Sequence, residues 1–169
     1  MISIGELPQL HSDSVPAQRQ SAESLRVCLV ALGEQIFAID LGQVAEVFVP
    51  ESITPVPGMP AALVGVTNLR GAIIPLADVR AVLGVSASCL PKYTVVVRHW
   101  TQRVGILVEN VPEIRTITSD DLVTTSVRTA TESLPLFSGF VKIDKKSSAI
   151  LEMSRLLASI ERTTNDQNP

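Results

Sequence analysis

The sequence predicts an all-β fold with a few short helices, organised as two similar β-barrels in tandem. Three observations predict it. Short apolar runs rich in β-branched residues recur along the chain, and turn residues separate them at regular intervals. Helical periodicity is confined to short segments. A weak internal repeat relates the first half of the chain to the second.

The apolar runs come in pairs that have the pattern of β-hairpins. The turn candidates between them are Gly33-Glu34, Arg70-Gly71, Trp100-Thr101-Gln102 and Asp144-Lys145-Lys146. We expect strands at residues 25–32 and 35–39, 63–69 and 72–76, 92–99 and 103–109, and 138–143 and 148–152. Many short strands with turns of this kind are typical of small barrels or sandwiches.

Three short helices are expected between and after these strands. Asp40 is a candidate N-cap for the first, which would place Leu41, Val44, Val47 and Phe48 on one face. The second covers residues 77–83 and ends at Gly84, a residue that tolerates left-handed geometry. The third covers residues 154–162 and directs Leu156, Leu157 and Ile160 inward.

The internal repeat appears when the chain is aligned with itself. Residues 35–47 match residues 102–114 at one offset, and Gly65-Val66 later matches Gly139-Phe140. The repeat predicts a first barrel over about 35–90, with part of the neighbouring strands, and a second over about 91–152. The helix at 154–162 would close the domain, which spans 24–162. Residues 1–23 and 163–169 are polar and are expected to be a disordered leader and a flexible tail.

Composition and charge exclude several classes of function. The 169 residues carry a formal net charge of −3, whereas a nucleic-acid-binding domain normally has a basic face. The first ten residues lack the features of a signal peptide. The longest uncharged run, 52–69, contains three prolines and cannot be a lipid-facing helix. We therefore expect a cytoplasmic protein that neither inserts into the membrane nor binds nucleic acid.

The sequence offers little for catalysis. His11 lies in the leader, His99 lies at a strand end, and Asp120-Asp121 resembles the start of a helical turn. No motif for a nucleophile, a metal ion, a cofactor or a phosphate-binding loop is present. We expect a protein that is not an enzyme and has no cofactor; a buried cluster of acid and nucleophile around His99 would revive a hydrolytic alternative.

One segment has the features of a binding surface. Residues 55–60 contain three prolines and form a stiff extended loop that leads into the strand at 63–69. Asn68, Arg70 and Gly71 lie at the following turn, where Arg70 would project from a rigid tip. An arginine held in this way suits bidentate contact with a carboxylate of a partner, although a solvated turn arginine is equally compatible with the residues alone.

The residues from Gly33 to Leu83 closely resemble the CheW-like family of chemotaxis coupling adaptors. The most specific strings are Gly65-Val66-Thr67-Asn68-Leu69-Arg70-Gly71 and Ile74-Pro75-Leu76-Ala77-Asp78-Val79-Arg80. The second half resembles the family at 104–111, at Gly139 and at 149–151, so the resemblance covers about residues 25–160. It implies two SH3-like five-stranded barrels that share a hydrophobic seam.

The resemblance also implies a function and a set of contact residues. Members of the family couple chemoreceptors to a CheA-type histidine kinase in two-component signalling. Val44, Glu46, Gly65 and Arg70 match positions implicated in contact with the receptor signalling tip and in kinase control, and Thr94 and Ile114 match positions near the receptor groove. The regulatory domain of the kinase is expected to bind near Val56, Met59 and Leu63. Asn68 and Gly71 complete the turn that carries Arg70.

Other possibilities stay open at this stage. An SH3-like interaction module with different protein partners is the alternative, and it gives no reason for Arg70 and Glu46 to share an exposed face. The chain contains no receiver, kinase or phosphotransfer module. It is expected to be monomeric when free and to join receptor arrays when bound. The motifs do not separate flagellar chemotaxis from a type IV pilus pathway.

Overall fold

The structure, a computed structural model, describes residues 23–123 and 136–162. Its strands are β1 (Leu25–Leu32), β2 (Gln35–Asp40), β3 (Val44–Phe48), β4 (Leu63–Leu69), β5 (Ala72–Ala77), β6 (Tyr93–His99), β7 (Gln102–Val108), β8 (Glu113–Ile117), β9 (Phe137–Ile143) and β10 (Lys146–Leu151). Short 3-10 helices cover Leu41–Gln43 and Ser119–Asp121, and the helix α1 covers Met153–Arg162.

The strands form two five-stranded sheets. The first sheet has the order β8-β1-β2-β10-β9, and the second has the order β3-β6-β7-β5-β4. The pairs β2/β10 and β5/β7 are parallel, and the other neighbours are antiparallel. The predicted all-β class with two five-stranded units is confirmed.

The two sheets are interleaved along the chain. Strands β1–β5 belong to the first half and β6–β10 to the second, yet each sheet takes the leading two strands of one half and the last three of the other. The expected division into units at about 35–90 and 91–152 therefore differs from the observed sheets. The repeat identified the equivalent strands correctly, but strand pairing depends on long-range contacts that a self-alignment does not contain.

The two sheets share one hydrophobic core, so separating them would expose its apolar side chains to water. A central apolar layer receives Val30 and Ile39 from the first sheet, Val95 and Ile106 from the second, and Leu156 from α1, all of them fully buried. Each sheet has a smaller apolar cluster on its other face. Strands β1 and β6 are thus buried on both faces, which accounts for their nearly continuous apolar sequences. The shared hydrophobic seam implied by the family resemblance is present.

Two predicted helices are wrong. Residues 44–48 form β3, and residues 80–84 form turns rather than a helix. The apolar spacing at 41–48 is compatible with a strand because the pairing of β3 with β6 shifts register between Val44 and Glu46. Asp40 does cap a turn, since its Oδ1 accepts a hydrogen bond of 2.8 Å from the Gly42 amide. The last helix lies one residue from its predicted start.

The predicted leader and tail lie outside the described residues, except for Glu23. Within 23–123 and 136–162, no helix has the length and hydrophobicity required to cross a membrane.

Candidate functional site

The candidate site lies where the edges of the second sheet approach each other. Strands β3 and β4 are its two outer strands. The chain between them returns along β4, so that Thr54 and Val66 exchange two backbone hydrogen bonds of 2.8 and 2.9 Å. This return places the turn after β4 near the outer strand β3, which carries Glu46.

An ion pair joins these two edges. Arg70 Nη1 donates to Glu46 Oε2 at 3.1 Å, and the two residues are 24 positions apart in the chain. The Arg70 side chain is 80% exposed and that of Glu46 is 27% exposed. The two residues therefore share one surface, and most of the guanidinium remains available to a partner.

The turn that carries Arg70 is tight and internally bonded. Arg70 and Gly71 have φ angles of 51° and 85° between the paired residues Leu69 and Ala72. Positive φ at both central residues is the type I′ geometry, which fits the twist of a β-hairpin. The Gly71 amide donates to Asn68 Oδ1 at 2.8 Å. Because a left-handed conformation is unfavourable for arginine, the hairpin holds Arg70 in a conformation it would not choose alone.

Glu46 is only partly satisfied by this pair. Its second oxygen, Oε1, is buried and has no hydrogen-bond partner among the described residues. A buried carboxylate oxygen without a donor is destabilising, and the hydrogen bond that Arg70 donates to the other oxygen offsets part of this cost. Glu46 thus orients Arg70 while contributing little surface itself.

The other residues predicted for the receptor surface have different environments. Val44 is half-buried and packs against the central layer. Gly65 is buried with φ of 153°, and a Cβ atom there would lie 2.5 Å from the Thr54 carbonyl oxygen. Its role is to permit the close approach of the 51–54 segment. Ile114 is 53% exposed but lies on β8, the outer strand of the first sheet.

Thr94 does not fit a direct contact. Its side chain is fully buried inside the second sheet, and its hydroxyl has no hydrogen-bond partner within residues 23–123 and 136–162. Thr94 stays a predicted position near the receptor groove, and its burial in β6 means that it would act through packing and not by touching a partner directly.

The residues predicted for kinase contact form a neighbouring surface. Val56 is 42% exposed, and Met59 and Leu63 are partly buried. Met59 and Leu63 line a cleft of about 460 Å³ whose other walls include Pro75, Val104, Leu157 and Ile160. This cleft is predominantly apolar and lies between the proline-rich loop and α1.

A buried charge network near the site was not predicted. Arg80 is 8% exposed and Glu109 is 3% exposed. Arg80 Nη2 contacts Asp78 Oδ2 at 2.7 Å, and its Nη1 donates to Glu109 Oε1 and to the Cys89 carbonyl, each at 2.7 Å. The Ser88 hydroxyl donates to the other oxygen of Glu109 at 2.9 Å. The network ties the ends of β5 and β7 to the segment that leads into β6.

The network changes the acidity of its members. Hydrogen bonding to Arg80 is the main cause that lowers the pKa of Asp78 below its usual value. Burial alone would raise the pKa of Glu109, but hydrogen bonds from Arg80, Ser88 and the Gly33 amide hold it below its usual value. Both carboxylates also raise the pKa of Arg80. The sequence contained a signal for part of this arrangement in Asp78-Val79-Arg80, but nothing local pointed to Glu109.

The catalytic alternative gains no support from His99. Its ring makes an edge contact with Trp100 at 6.1 Å, and its side chain has no hydrogen bond or ion pair in the described part of the chain. Asp121 accepts hydrogen bonds from the amide and hydroxyl of Thr118, so the acidic pair starts a helical turn as predicted. No group of three potential metal ligands occurs in residues 23–123 and 136–162.

Comparison with known proteins places the chain in a family. The CheW-like domain model matches residues 26–161. A probable chemotaxis protein CheW of Rhizobium etli is 30% identical over 132 residues, which is 77% of this chain and 85% of that protein. The protein PilI of Pseudomonas aeruginosa is 31% identical over 99 residues, 57% of this chain and 56% of that protein.

A solved structure agrees with this assignment. The scaffolding protein TtCheW of Thermoanaerobacter tengcongensis superimposes with a TM-score of 0.69 at 26% identity, over 82% of this chain and 90% of that one. The family match covers all but the terminal residues of the described fold, including β3, which carries Glu46, and the turn after β4, which carries Arg70. The chain therefore belongs to the CheW-like family of chemotaxis coupling adaptors.

Proposed function

We propose that this protein couples the cytoplasmic signalling tip of chemoreceptors to the regulatory domain of a CheA-type histidine kinase. The observation that carries the proposal is the Arg70–Glu46 pair, which joins two sequence-distant residues on one exposed surface. A generic barrel pair gives no reason to hold an arginine in a left-handed turn against a half-buried glutamate. A contact that must be presented in one orientation does give such a reason.

The receptor surface consists of Arg70, supported by Glu46 and Asn68, with Val44 as its apolar neighbour. Arg70 keeps most of its donors free for a carboxylate or carbonyl of the receptor. Glu46 acts by holding Arg70, since one of its oxygens is buried. Ile114 is exposed on the outer strand of the first sheet and is proposed as a separate receptor contact.

The kinase surface is the apolar cleft beside the proline-rich loop. Val56 is exposed, and Met59 and Leu63 line the cleft together with residues of α1. Prolines stiffen the loop before binding, which lowers the entropy that must be lost on association. Apolar contact in the cleft supplies affinity, and the receptor surface remains accessible at the same time.

The protein acts as a cytoplasmic, non-enzymatic scaffold without a cofactor. This part of the proposal is supported by membership of the CheW-like family and by the likeness to the scaffolding protein TtCheW. The free protein is monomeric, and occupation of both surfaces recruits it into an array. Each weak contact then raises the effective concentration of the next, so modest individual affinities give a stable assembly.

The proposal predicts a separation of functions in Arg70→Glu. We expect calorimetric titration of the wild type to show micromolar binding to the kinase regulatory domain and to a receptor cytoplasmic fragment from the same organism, about −8 kcal/mol for each. Arg70→Glu places a second carboxylate beside Glu46 and should reduce receptor affinity at least tenfold. The fold should survive, since an exposed ion pair contributes at most about 1 kcal/mol.

Lys145→Glu is the matched control. Lys145 also lies at a hairpin tip with positive φ, but on the first sheet. Lys145→Glu should leave the affinities for receptor and kinase unchanged.

Failure of the wild type to bind either partner would contradict the proposal and favour an interaction module with other partners. Loss of the circular-dichroism spectrum of folded protein in Arg70→Glu would show that Arg70 is structural. Titration with kinases of flagellar and type IV pilus pathways would assign the pathway, and the similarity to the protein PilI makes the second worth including.

A further inference from the structure

The hairpin between β6 and β7 contains an unusual pair of charges. Arg98 and Arg103 are directly opposite each other across the two strands, and both are exposed. Directly opposed residues project from the same face, so two like charges lie side by side, which is destabilising. Neither arginine forms an ion pair or a side-chain hydrogen bond with any residue in the described ranges. In the described residues, no ion pair or side-chain hydrogen bond offsets this repulsion.

The tip of the same hairpin has two further unfavourable features. Trp100 is 91% exposed, the most exposed of the large hydrophobic residues in the described chain. It also has a φ of 55°, a conformation that is rarely found for a bulky side chain. An exposed indole on a rigid turn is well suited to an interface, because it combines a large apolar area with few rotatable bonds.

This tip lies at the same end of the second sheet as Arg70. Strands β5 and β7 are parallel neighbours with Leu76 beside Gly105. Counting back two residues on each strand places Ile74 beside Arg103, and the turn containing Arg70 immediately precedes β5. The end of the sheet thus carries three exposed arginines, of which only Arg70 has a carboxylate partner among the described residues.

The chemistry of this end favours an acidic protein segment. The whole chain has a net charge of −3, so an extended polyanion such as nucleic acid or an anionic membrane would also meet its negative surface. Carboxylates lie close to the arginines, with Glu46 bonded to Arg70 and Glu161 lining a cleft with Trp100. A small cationic patch bordered by this chain's own carboxylates suits a partner segment that presents a few carboxylates with an apolar side chain between them.

We propose that Arg98, Trp100 and Arg103 dock a carboxylate-rich segment of the chemoreceptor, extending the contact made by Arg70. This inference rests on the proposed function, which assigns the Arg70 surface to the receptor. Arg98 and Arg103 bind carboxylates of the segment, and Trp100 covers an apolar residue between them. Carboxylates of the partner remove the repulsion between the two arginines, so that binding stabilises the hairpin.

The test measures binding of the receptor cytoplasmic fragment to the full chain by calorimetry at 50 and 300 mM NaCl. The Debye length, about 8 Å at physiological ionic strength, is longer at the first concentration and shorter at the second. Arg98→Gln/Arg103→Gln should reduce affinity at least about tenfold at low salt and should weaken its salt dependence. Arg98→Gln alone should give a smaller loss of receptor affinity. This single variant is needed because Arg103 also lines the cleft of Met59 and Leu63 that is proposed to bind the kinase. Lys142→Gln/Lys146→Gln removes the same charge from the β9–β10 hairpin and should change nothing.

Trp100→Asn separates binding from stability. Asparagine tolerates positive φ, so the denaturation midpoint should stay equal or rise while receptor affinity falls. Receptor affinity that is unchanged in Arg98→Gln/Arg103→Gln overturns the inference, as does a loss confined to kinase affinity. Binding of the wild type to phosphatidylglycerol vesicles or a single-stranded oligonucleotide, abolished by Arg98→Gln, also overturns it. A wild type that does not bind the receptor fragment at all refutes the proposed function instead.

Discussion

At Gly65 the backbone of β4 approaches the 51–54 segment too closely for any side chain. A Cβ atom would lie 2.5 Å from the Thr54 carbonyl oxygen, at a φ of 153°. We expect Gly65→Ala to lower the free energy of unfolding by about 2 to 4 kcal/mol, since the clash involves backbone that cannot rotate away. Gly58→Ala is the control, because Gly58 also has positive φ but open space around it, and should lose only about 1 kcal/mol. Urea denaturation measures both, and equal losses would contradict the steric explanation.

Thr94 carries a second prediction at the scale of one side chain. Its buried hydroxyl has no partner in the part of the chain that the structure describes, so Thr94→Val replaces an unsatisfied polar group with a methyl group of similar size. We expect the free energy of unfolding to rise by about 1 kcal/mol, with receptor and kinase affinities unchanged. Thr94→Ser keeps the hydroxyl and removes the methyl group, so it should be less stable than the wild type. Reduced receptor binding in a stable Thr94→Val protein would restore a functional role for this position.

The charge network between the ends of β5 and β7 makes stability depend on pH. Asp78 and Glu109 have a lowered pKa in the folded protein, so they contribute stability above their unfolded pKa values. This contribution is lost as the pH falls through the folded values, and the free energy of unfolding should decline below about pH 5. Glu109→Gln removes the buried one of the two carboxylates that contact Arg80, and it should lower the free energy of unfolding by about 3 kcal/mol at pH 7.

Urea denaturation at pH 7 and pH 4 tests the network. The decline between the two pH values should be smaller in Glu109→Gln than in the wild type. Glu113→Gln removes a carboxylate from an exposed pair with Arg115 and should lose much less stability than Glu109→Gln, because water screens exposed charges. If both variants lost the same free energy of unfolding at pH 7, burial of Glu109 would add nothing to its interaction with Arg80.

Strands were predictable from the sequence because their signals are local. Alternation of apolar residues and turn residues such as Arg70-Gly71 located β4 and β5 within a residue of their observed ends. The helix expected around Val44 was wrong because spacing of apolar residues by three also suits a strand with a register shift. The neighbours of each strand were not predictable, since pairing is decided by contacts between distant segments.

The same distinction applies to the site. The projecting Arg70 and its supporting Asn68 follow from turn chemistry and were expected. The bond between Arg70 and Glu46 and the burial of Glu109 require knowledge of which strands are adjacent, and no local pattern contains it. The prediction for Thr94 rests on family resemblance alone, and no local pattern indicated the complete burial of this side chain inside β6.

At the scale of the whole molecule, the interleaved sheets make the two halves interdependent. Each half supplies the leading two strands of one sheet and the last three of the other. We expect a fragment containing β1–β5 and a fragment containing β6–α1 to be unfolded separately, because each would expose the central apolar layer. Mixed together, they should regain the far-ultraviolet circular-dichroism spectrum of the intact chain. A native spectrum for either fragment alone would show that the sheets do not depend on the exchange.

This exchange of strands also suggests how such a chain could arise. A polypeptide half as long, carrying one copy of the repeat, could complete both sheets only by joining a second copy of itself. The product would be a domain-swapped homodimer with a two-fold axis through the central layer. Duplication and fusion of its gene would turn that axis into an internal pseudosymmetry and free the two copies to diverge. One copy here holds Glu46 and Arg70, while the equivalent positions of the other are Glu113 and Asp144, so the pseudosymmetric molecule has two different ends.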